Sequence, residues 1–294
     1  MAFDFYFAGT QCKEADDVIC ELNANVLKSY VNDRKSIQDW INRKQNGWKG
    51  KLMIDNGAFT VHRSGGVIDI DKYISWLNEN DAYIDYAIAL DKIPGRWGTV
   101  RTHDDFVTSA KVTWDNYLYM LNKVVSPDKL LPTFHMGESF DFLDRYLHLK
   151  NLKYMCLSAF KDTTNKFRED WYEKCFSHVA NIEGCDIKFH CLGSATIQNA
   201  EKFPFLSMDA TSWIMAGANG SILTDYGPIC VGRKSSLSNI EWNIVSKILS
   251  EYSINITDVI NDYKCRMIVN VRYLYYTSLN TTCVREPKKK RRLF

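Results

Sequence analysis

The sequence predicts an α/β fold, a (β/α)8 barrel of the TIM type with extra C-terminal helices. Three observations carry this reading. Short apolar runs of strand length alternate with amphipathic helical stretches, and a buried parallel strand reads as a continuous apolar run. Three of those runs stop on an aspartate: Leu52-Met53-Ile54-Asp55, Ala87-Ile88-Ala89-Leu90-Asp91 and Phe205-Leu206-Ser207-Met208-Asp209. The strand count reaches eight within 294 residues, which is the number such a barrel needs. A doubly wound sheet is the competing architecture. No Gly-x-Gly-x-x-Gly follows the first strand, which counts against its dinucleotide-binding form, and no phosphate-loop motif supports ATP-driven chemistry.

In chain order, Phe3–Gly9 reads as the first strand. Residues 15–43 read as helix, with Val18, Leu22, Val26, Leu27 and Tyr30 at helical spacing. Lys51–Asp55 is the second strand, and Ile70–Leu77 a helix after the turn at Ser64-Gly65-Gly66. Tyr83–Asp91 is the third strand, followed by a helix capped near Thr102 or Asp104 and running to about Val125. Leu130–Met136, Leu152–Ala159, Asp186–Leu192 and Phe205–Asp209 are strands four to seven. Between them lie helices over 140–149, around Phe167 to Val179, and over 196–202. Gly227–Gly232 is the eighth strand, and helices over 239–251 and 257–278 close the chain.

Composition narrows the class. The chain is 46% hydrophobic and 13% aromatic, enough for a sizeable core. No apolar stretch reaches the ~18 residues of a membrane span, and Met1–Ala8 lacks the basic start of a secretory signal. A cytoplasmic protein that does not engage a membrane is expected. Nine cysteines, an odd number without Cys-x-x-Cys spacing, argue against both a disulfide framework and a zinc knuckle. Five of the 37 basic residues form Lys288-Lys289-Lys290-Arg291-Arg292, so the remainder is slightly acidic against 35 Asp and Glu. One domain over 1–286 and a disordered basic tail over 287–294 are expected. That tail suits a phosphate-binding arm, an import-like run or a solubilising end.

In a barrel the strand ends converge on one mouth. They bring Asp55, Asn56, Gly57 and Phe59; Asp91; His135, Gly137 and Glu138; Ser158; Gly193 and Ser194; Asp209; and Arg233. Neighbouring carboxylates push their pKa values apart, so one can stay ionised as a nucleophile while another serves as a general acid. Two carboxylates flanking a glycosidic bond are what glycosyl transfer through a covalent intermediate requires. Phe59 suits stacking on a base. Taken singly, each has a plainer explanation. Asp55 caps a turn, Asp91 opens the Ile93-Pro94-Gly95 loop, and Asp209 is a helix cap. His135 and His190 are core histidines satisfied by backbone, and Arg233 pairs with a nearby carboxylate. Only the joint pattern favours a site.

At these residues the chain resembles the tRNA-guanine transglycosylase superfamily, most of all its small phage and bacterial members that insert 7-deazaguanine bases into DNA. The family's Asp-Ser-Gly-Gly/Ala-Phe motif is matched by Asp55-Asn56-Gly57-Ala58-Phe59, with Asn for Ser. Its base-binding Asp is matched by Asp91. Its Gln-Gly pair falls at Phe134-His135-Met136-Gly137, without the glutamine. Its backbone contacts fall at Ser158 and at Gly193-Ser194, and its nucleophile at Asp209. The likeness spans about residues 50–235 as an ordered series. The Cys-x-Cys-x-x-Cys and histidine that hold zinc in the tRNA enzymes have no counterpart, since only Cys230, Cys265 and Cys283 follow Asp209. The resemblance thus implies no metal and no cofactor.

It further implies a pentosyltransferase in which Asp209 attacks the sugar and Asp55 moves the proton. Asp91, Phe59, Asn56, His135, Gly137, Ser158, Gly193, Ser194 and Arg233 would hold the substrate. DNA is the favoured polymer and tRNA the other, with a 7-deazaguanine-type free base as second substrate. A homodimer or a partner protein stays open, as does a phage-encoded origin with action in the host cytoplasm. The alternatives are a tRNA-guanine transglycosylase, a nucleoside or nucleotide hydrolase or ribosyltransferase, and a non-catalytic nucleotide-binding module.

Overall fold

A computed structural model describes residues 3–9, 12–193, 196–233 and 235–281. Its frame is a ring of parallel strands: β1 (Asp4–Ala8), β2 (Asn25–Ser29), β3 (Leu52–Asp55), β4 (Tyr86–Ile88), β5 (Leu130–Leu131), β6 (Thr133–His135), β7 (Tyr154–Ser158), β8 (Lys188–Leu192) and β9 (Ser207–Ala210). Neighbours run in the order β5-β4-β3-β2-β1-β9-β8-β7-β6. β5 and β6 stand at opposite ends of that order, yet only Pro132 separates them in the chain. Proline has no N–H to give a ladder, so the stave from Leu130 to His135 divides there. Its first half pairs with β4 and its second with β7. The Pro132 carbonyl still accepts from Cys156 N–H at 2.8 Å. The divided stave closes the ring, and the protein is an eight-staved (β/α)8 barrel.

Outside the ring lie α1 (Lys13–Glu21), α2 (Arg34–Gln45), α3 (Ala58–Ser64), α4 (Ile70–Glu79), α5 (His103–Leu121), α6 (Phe140–Leu147), α7 (Asn165–Ala180), α8 (Ile197–Lys202) and α9 (Ser212–Ala218). Period-two alternation sorts the strand residues between two cores. Tyr6, Leu27, Met53, Ile88, Leu131, Tyr154 and Cys156 fill the barrel interior. Phe5, Val26, Ile54, Phe134, Leu157, Phe189 and Met208 face the helices. Each such side chain contributes about 1.5–3 kcal/mol through burial.

The eight staves are not quite the eight that the sequence predicts. Residues 15–43, expected as helix, fold as α1, β2 and α2. Asn23, left-handed at φ 51°, ends the first helix, and its Oδ1 accepts from Lys49 N–H. The β2 run escapes notice because the fully buried Lys28 interrupts it. The expected eighth strand at Gly227–Gly232 lies outside the ring. There β10 (Ser221–Ile222) and β11 (Ile229–Cys230) form an antiparallel ribbon.

After the ribbon come α10 (Asn239–Glu251), α11 (Ile256–Asn261) and α12 (Tyr263–Asn280). The single helix expected over 257–278 breaks at Asp262, whose side chain caps α12 by accepting from Lys264 N–H. The ribbon and these helices share a small core of their own, including Ile222, Val231, Val245, Leu249 and Val269. α12 seats this unit on α9. A Cβ at Gly217 would lie 2.6 Å from Met267 Cγ, and the buried Arg266 Nε donates to the Gly217 carbonyl. α9 is tied to the barrel in turn, since Trp213 Nε1 donates to the Ala8 carbonyl. The basic tail over 287–294 lies outside the described residues.

Candidate active site

The C-terminal strand ends open on a cavity of about 1130 Å3. Asp55, Asp91 and Asp209 all line it, together with Phe59, His135, Ser158 and Gly193. Residues from β3, β4, β6, β7, β8 and β9 and the segments just past them therefore face one space. Parallel strands in a closed ring place all their C-terminal ends on one face, which makes short motifs spread over 150 residues into neighbours.

Asp55 ends β3. The chain then turns through Gly57 at φ +89°, where a Cβ would lie 2.5 Å from Val31 Cγ2. The turn aims Gly57 N–H at Asp55 Oδ2, 3.1 Å away. Burial first, then the charges of Asp91 and Asp209, push the Asp55 carboxyl up to about 7. A carboxyl so poised can both give and take a proton near neutrality.

Asp91 is clamped from two sides. Asn56 Nδ2 donates to its Oδ1 at 2.7 Å, and His135 Nε2 stands 2.7 Å from its Oδ2. His135 Nδ1 meets Glu138 Oε1 at 3.0 Å, while Glu138 Oε2 accepts from the His135 backbone N–H. Each ring nitrogen faces a carboxylate, so both must be donors and the ring is an imidazolium. Burial opposes that charge, but Glu138 and Asp91 overcome it and raise His135 to about 10.

Asp209, in β9, points into the barrel above Ser207. Its Oδ1 accepts from Gly193 N–H at 2.8 Å and lies 3.3 Å from His190 Nε2. Among the described residues no donor reaches Oδ2. The carboxylate is 7% exposed, so it keeps an opening to the cavity.

Loops form the rim. Phe59 and Trp97 pack edge to face with centroids 5.5 Å apart, both about half exposed. Lys161 Nζ lies 5.8 Å from the Phe59 ring. Arg101 stacks 3.8 Å above Phe160 and pairs with Asp162 at 2.9 Å. Burial and the neighbouring Arg101 hold His62 below the usual imidazole range. Cations and exposed rings thus surround an acidic floor.

Several expected site residues stand elsewhere. Asn56 is fully buried and turned into the protein. It donates to the Ala89 carbonyl as well as to Asp91 and accepts from Ala58 N–H, so it supports Asp91 instead of lining the cavity. Gly137 also stays off the wall. It serves the backbone, with φ +90° and a Cβ position 2.4 Å from the Phe106 ring. Arg233 follows the β10–β11 ribbon, not a stave, and its Nε donates to Asn261 Oδ1 away from the mouth. Ser194 lies outside the described residues.

Sequence reasoning passed over the function of Glu138 and His190 and the rim residues Trp97, Arg101 and Lys161. The His-x-x-Glu spacing of His135 and Glu138 is a usable signal. The rim residues come from loops and carry none. Among the described residues, no cluster of three or more His, Cys, Asp and Glu is arranged to hold a metal ion, and no helix is long and apolar enough to cross a membrane.

No family model and no curated protein matches this chain. Among solved structures, one described as "Native KDPGal structure" aligns over 94% of this chain and 97% of its own, with 9% identity and a TM-score of 0.42. A likeness that distant bears on no part of the chemistry.

Proposed function

We propose that the protein is a base-exchanging pentosyltransferase that replaces guanine in a nucleic acid, DNA before tRNA, by a 7-deazaguanine base. One observation carries this reading: carboxylates from three staves line one cavity, where burial and then the charges of Asp91 and Asp209 raise Asp55 to about 7. That is the division of labour which glycosyl transfer through a covalent intermediate needs. Asp209 attacks C1′ of the target nucleotide. The bond from C1′ to the base nitrogen breaks, its electron pair leaves with guanine, and Asp55 supplies the proton. An incoming base then returns a proton to Asp55, and its nitrogen displaces Asp209 from C1′. Asp91, fixed by Asn56 and His135, accepts hydrogen bonds from the base edge. The backbone near Ser158 and Gly193 borders the same space.

The rim supports a polymeric substrate. The cavity, at about 1130 Å3, lies just above the ~300–1,000 Å3 range of small-molecule sites, which leaves room beside one base for its neighbours. Phe59 and Trp97 offer faces to stacked bases, and Lys161 offers charge to a phosphate. A target base must leave the duplex stack to reach the acidic floor.

Incubation with labelled guanine and, separately, duplex DNA, single-stranded DNA and tRNA tests the proposal. Label entering DNA supports it as stated, and label entering only tRNA moves it to the other polymer. No incorporation into any of the three sinks it. Asp209→Asn should lower incorporation by about 10^4-fold or more while leaving the melting curve of the protein in place.

A further inference from the structure

Behind Asp209 a line of buried side chains runs back into the barrel. His190 Nε2 faces Asp209 Oδ1 at 3.3 Å. His190 Nδ1 lies 2.5 Å from Ser207 Oγ, and Ser207 Oγ is hydrogen-bonded to the Tyr154 hydroxyl. His190 and Ser207 are fully buried and Tyr154 nearly so. All three come from staves. His190 and Ser207 are paired across β8 and β9, and β7 supplies Tyr154. The rings of Tyr6 and Tyr154 meet the imidazole edge to face, with centroids 5.8 Å and 6.5 Å away.

For a His190 ring with one proton, one direction pairs every group: the Tyr154 hydroxyl donates to Ser207, the Ser207 hydroxyl to His190 Nδ1, and His190 Nε2–H to Asp209. Run the other way, the Nε2 lone pair of a singly protonated ring would face a carboxylate oxygen, with nothing between them. Gly193 N–H reaches the same Asp209 oxygen at 2.8 Å. Among the described residues two donors therefore hold Oδ1 and none reaches Oδ2, which is left to the cavity.

We infer that His190 is a positioning residue for Asp209. Together with Gly193 N–H it pins Oδ1, so that Oδ2 is the oxygen offered to the sugar, while Ser207 and Tyr154 fix the His190 tautomer. The inference rests on Asp209 being the nucleophile proposed above. When Oδ2 bonds to C1′, Oδ1 becomes the ester carbonyl oxygen. When the incoming base displaces it, both oxygens share the returned charge, and the same two donors receive it.

Base exchange is measured on the full-length protein for wild type, His190→Leu, His190→Gln and Tyr154→Phe, with 15N–1H long-range correlation spectra of the wild-type histidines. His190→Leu should lower kcat about 30-fold with KM for the free base changed less than about 2-fold. His190→Gln, whose amide N–H can reach the Nε2 position, should restore kcat to within about 5-fold. Tyr154→Phe, which loses only the hydroxyl at the far end of the line, should cost about 3-fold. The spectra should show His190 protonated on Nε2 alone, and this reading holds even if His190→Leu does not fold. A proton on Nδ1, an unchanged kcat in folded His190→Leu, or a Gln variant no better than Leu overturns the inference. Wild-type protein without exchange overturns the proposed function itself, and the two failures are told apart by that control.

Discussion

His135 and His190 stand on β6 and β8, with only β7 between them, each touching a cavity aspartate, and they do different work. His135 meets carboxylates at both ring nitrogens, Asp91 at 2.7 Å and Glu138 at 3.0 Å. His190 meets a carboxylate at one nitrogen and the Ser207 hydroxyl at the other. Two anions demand two protons, whereas a hydroxyl can supply the second one itself. The first ring is therefore a fixed cation that neutralises part of the acidic floor. The second is a directed donor. A single serine in place of a glutamate separates a charge clamp from a positioning arm.

Removing the imidazole should break this symmetry in stability. His135→Leu leaves Asp91 and Glu138 buried without their cation, a loss of about 3–5 kcal/mol. His190→Leu leaves Asp209 its Gly193 N–H and strands only a hydroxyl, at about 1–3 kcal/mol. Urea unfolding at pH 7 should show the first variant clearly the weaker. Equal losses would mean that His135 is not held as a buried cation.

The pH dependence should sharpen the contrast. His135 is raised to about 10 in the folded protein, against about 6.5 in the unfolded chain. Its contribution is complete below pH ~6.5 and fades as pH rises towards 10. Unfolding free energy should accordingly fall between pH 7 and 10 in wild type, and fall less in His135→Gln. A slope that is unchanged in this variant would place the titration elsewhere.

Activity should follow Asp55. Its acid form prevails below about pH 7, so the rate of base expulsion should decline above that pH. After burial, Asp91 is the first of the anions that raise it. Asp91→Asn should lower the Asp55 pKa and shift the alkaline limb to lower pH by about 1 unit. A limb that stays in place would show that Asp91 takes no part in setting the Asp55 value.

The fold class was legible because seven staves are apolar runs that end in turn residues. β2 was hidden by Lys28, a charge that folds inward where the pattern expects an apolar side chain. The ribbon strand at Ile229–Cys230 supplied a false eighth run, because two or three apolar residues between glycines look alike inside and outside a barrel. Within the site, Asp55, Asp91 and Asp209 were legible since each ends a run at the face where strand ends converge. Side-chain direction was not. Asn56 follows Asp55 directly, and alternation turns it into the wall, where it finds Asp91 from behind. The roles of His135 and His190 depend on Asp91 and Asp209, 44 and 19 residues away in sequence, which only the closed ring brings into reach.

Asn56 offers the finest test of the clamp. The resembled family carries serine at this position, and a serine hydroxyl cannot span both the Ala89 carbonyl and Asp91. Asn56→Ser should keep the cap on Ala58 N–H, because a hydroxyl can also accept there. It should lose the donor at Asp91 Oδ1 and the one at the Ala89 carbonyl, for about 1 kcal/mol of stability. Its larger mark should be on recognition. With Oδ1 released, Asp91 pivots on His135 alone, and KM for the free base should rise about 3- to 10-fold while kcat changes little. A fall in kcat at constant KM would show that Asn56 acts on the attack by Asp209, and that Asp91 is held well enough by the His135 cation without it.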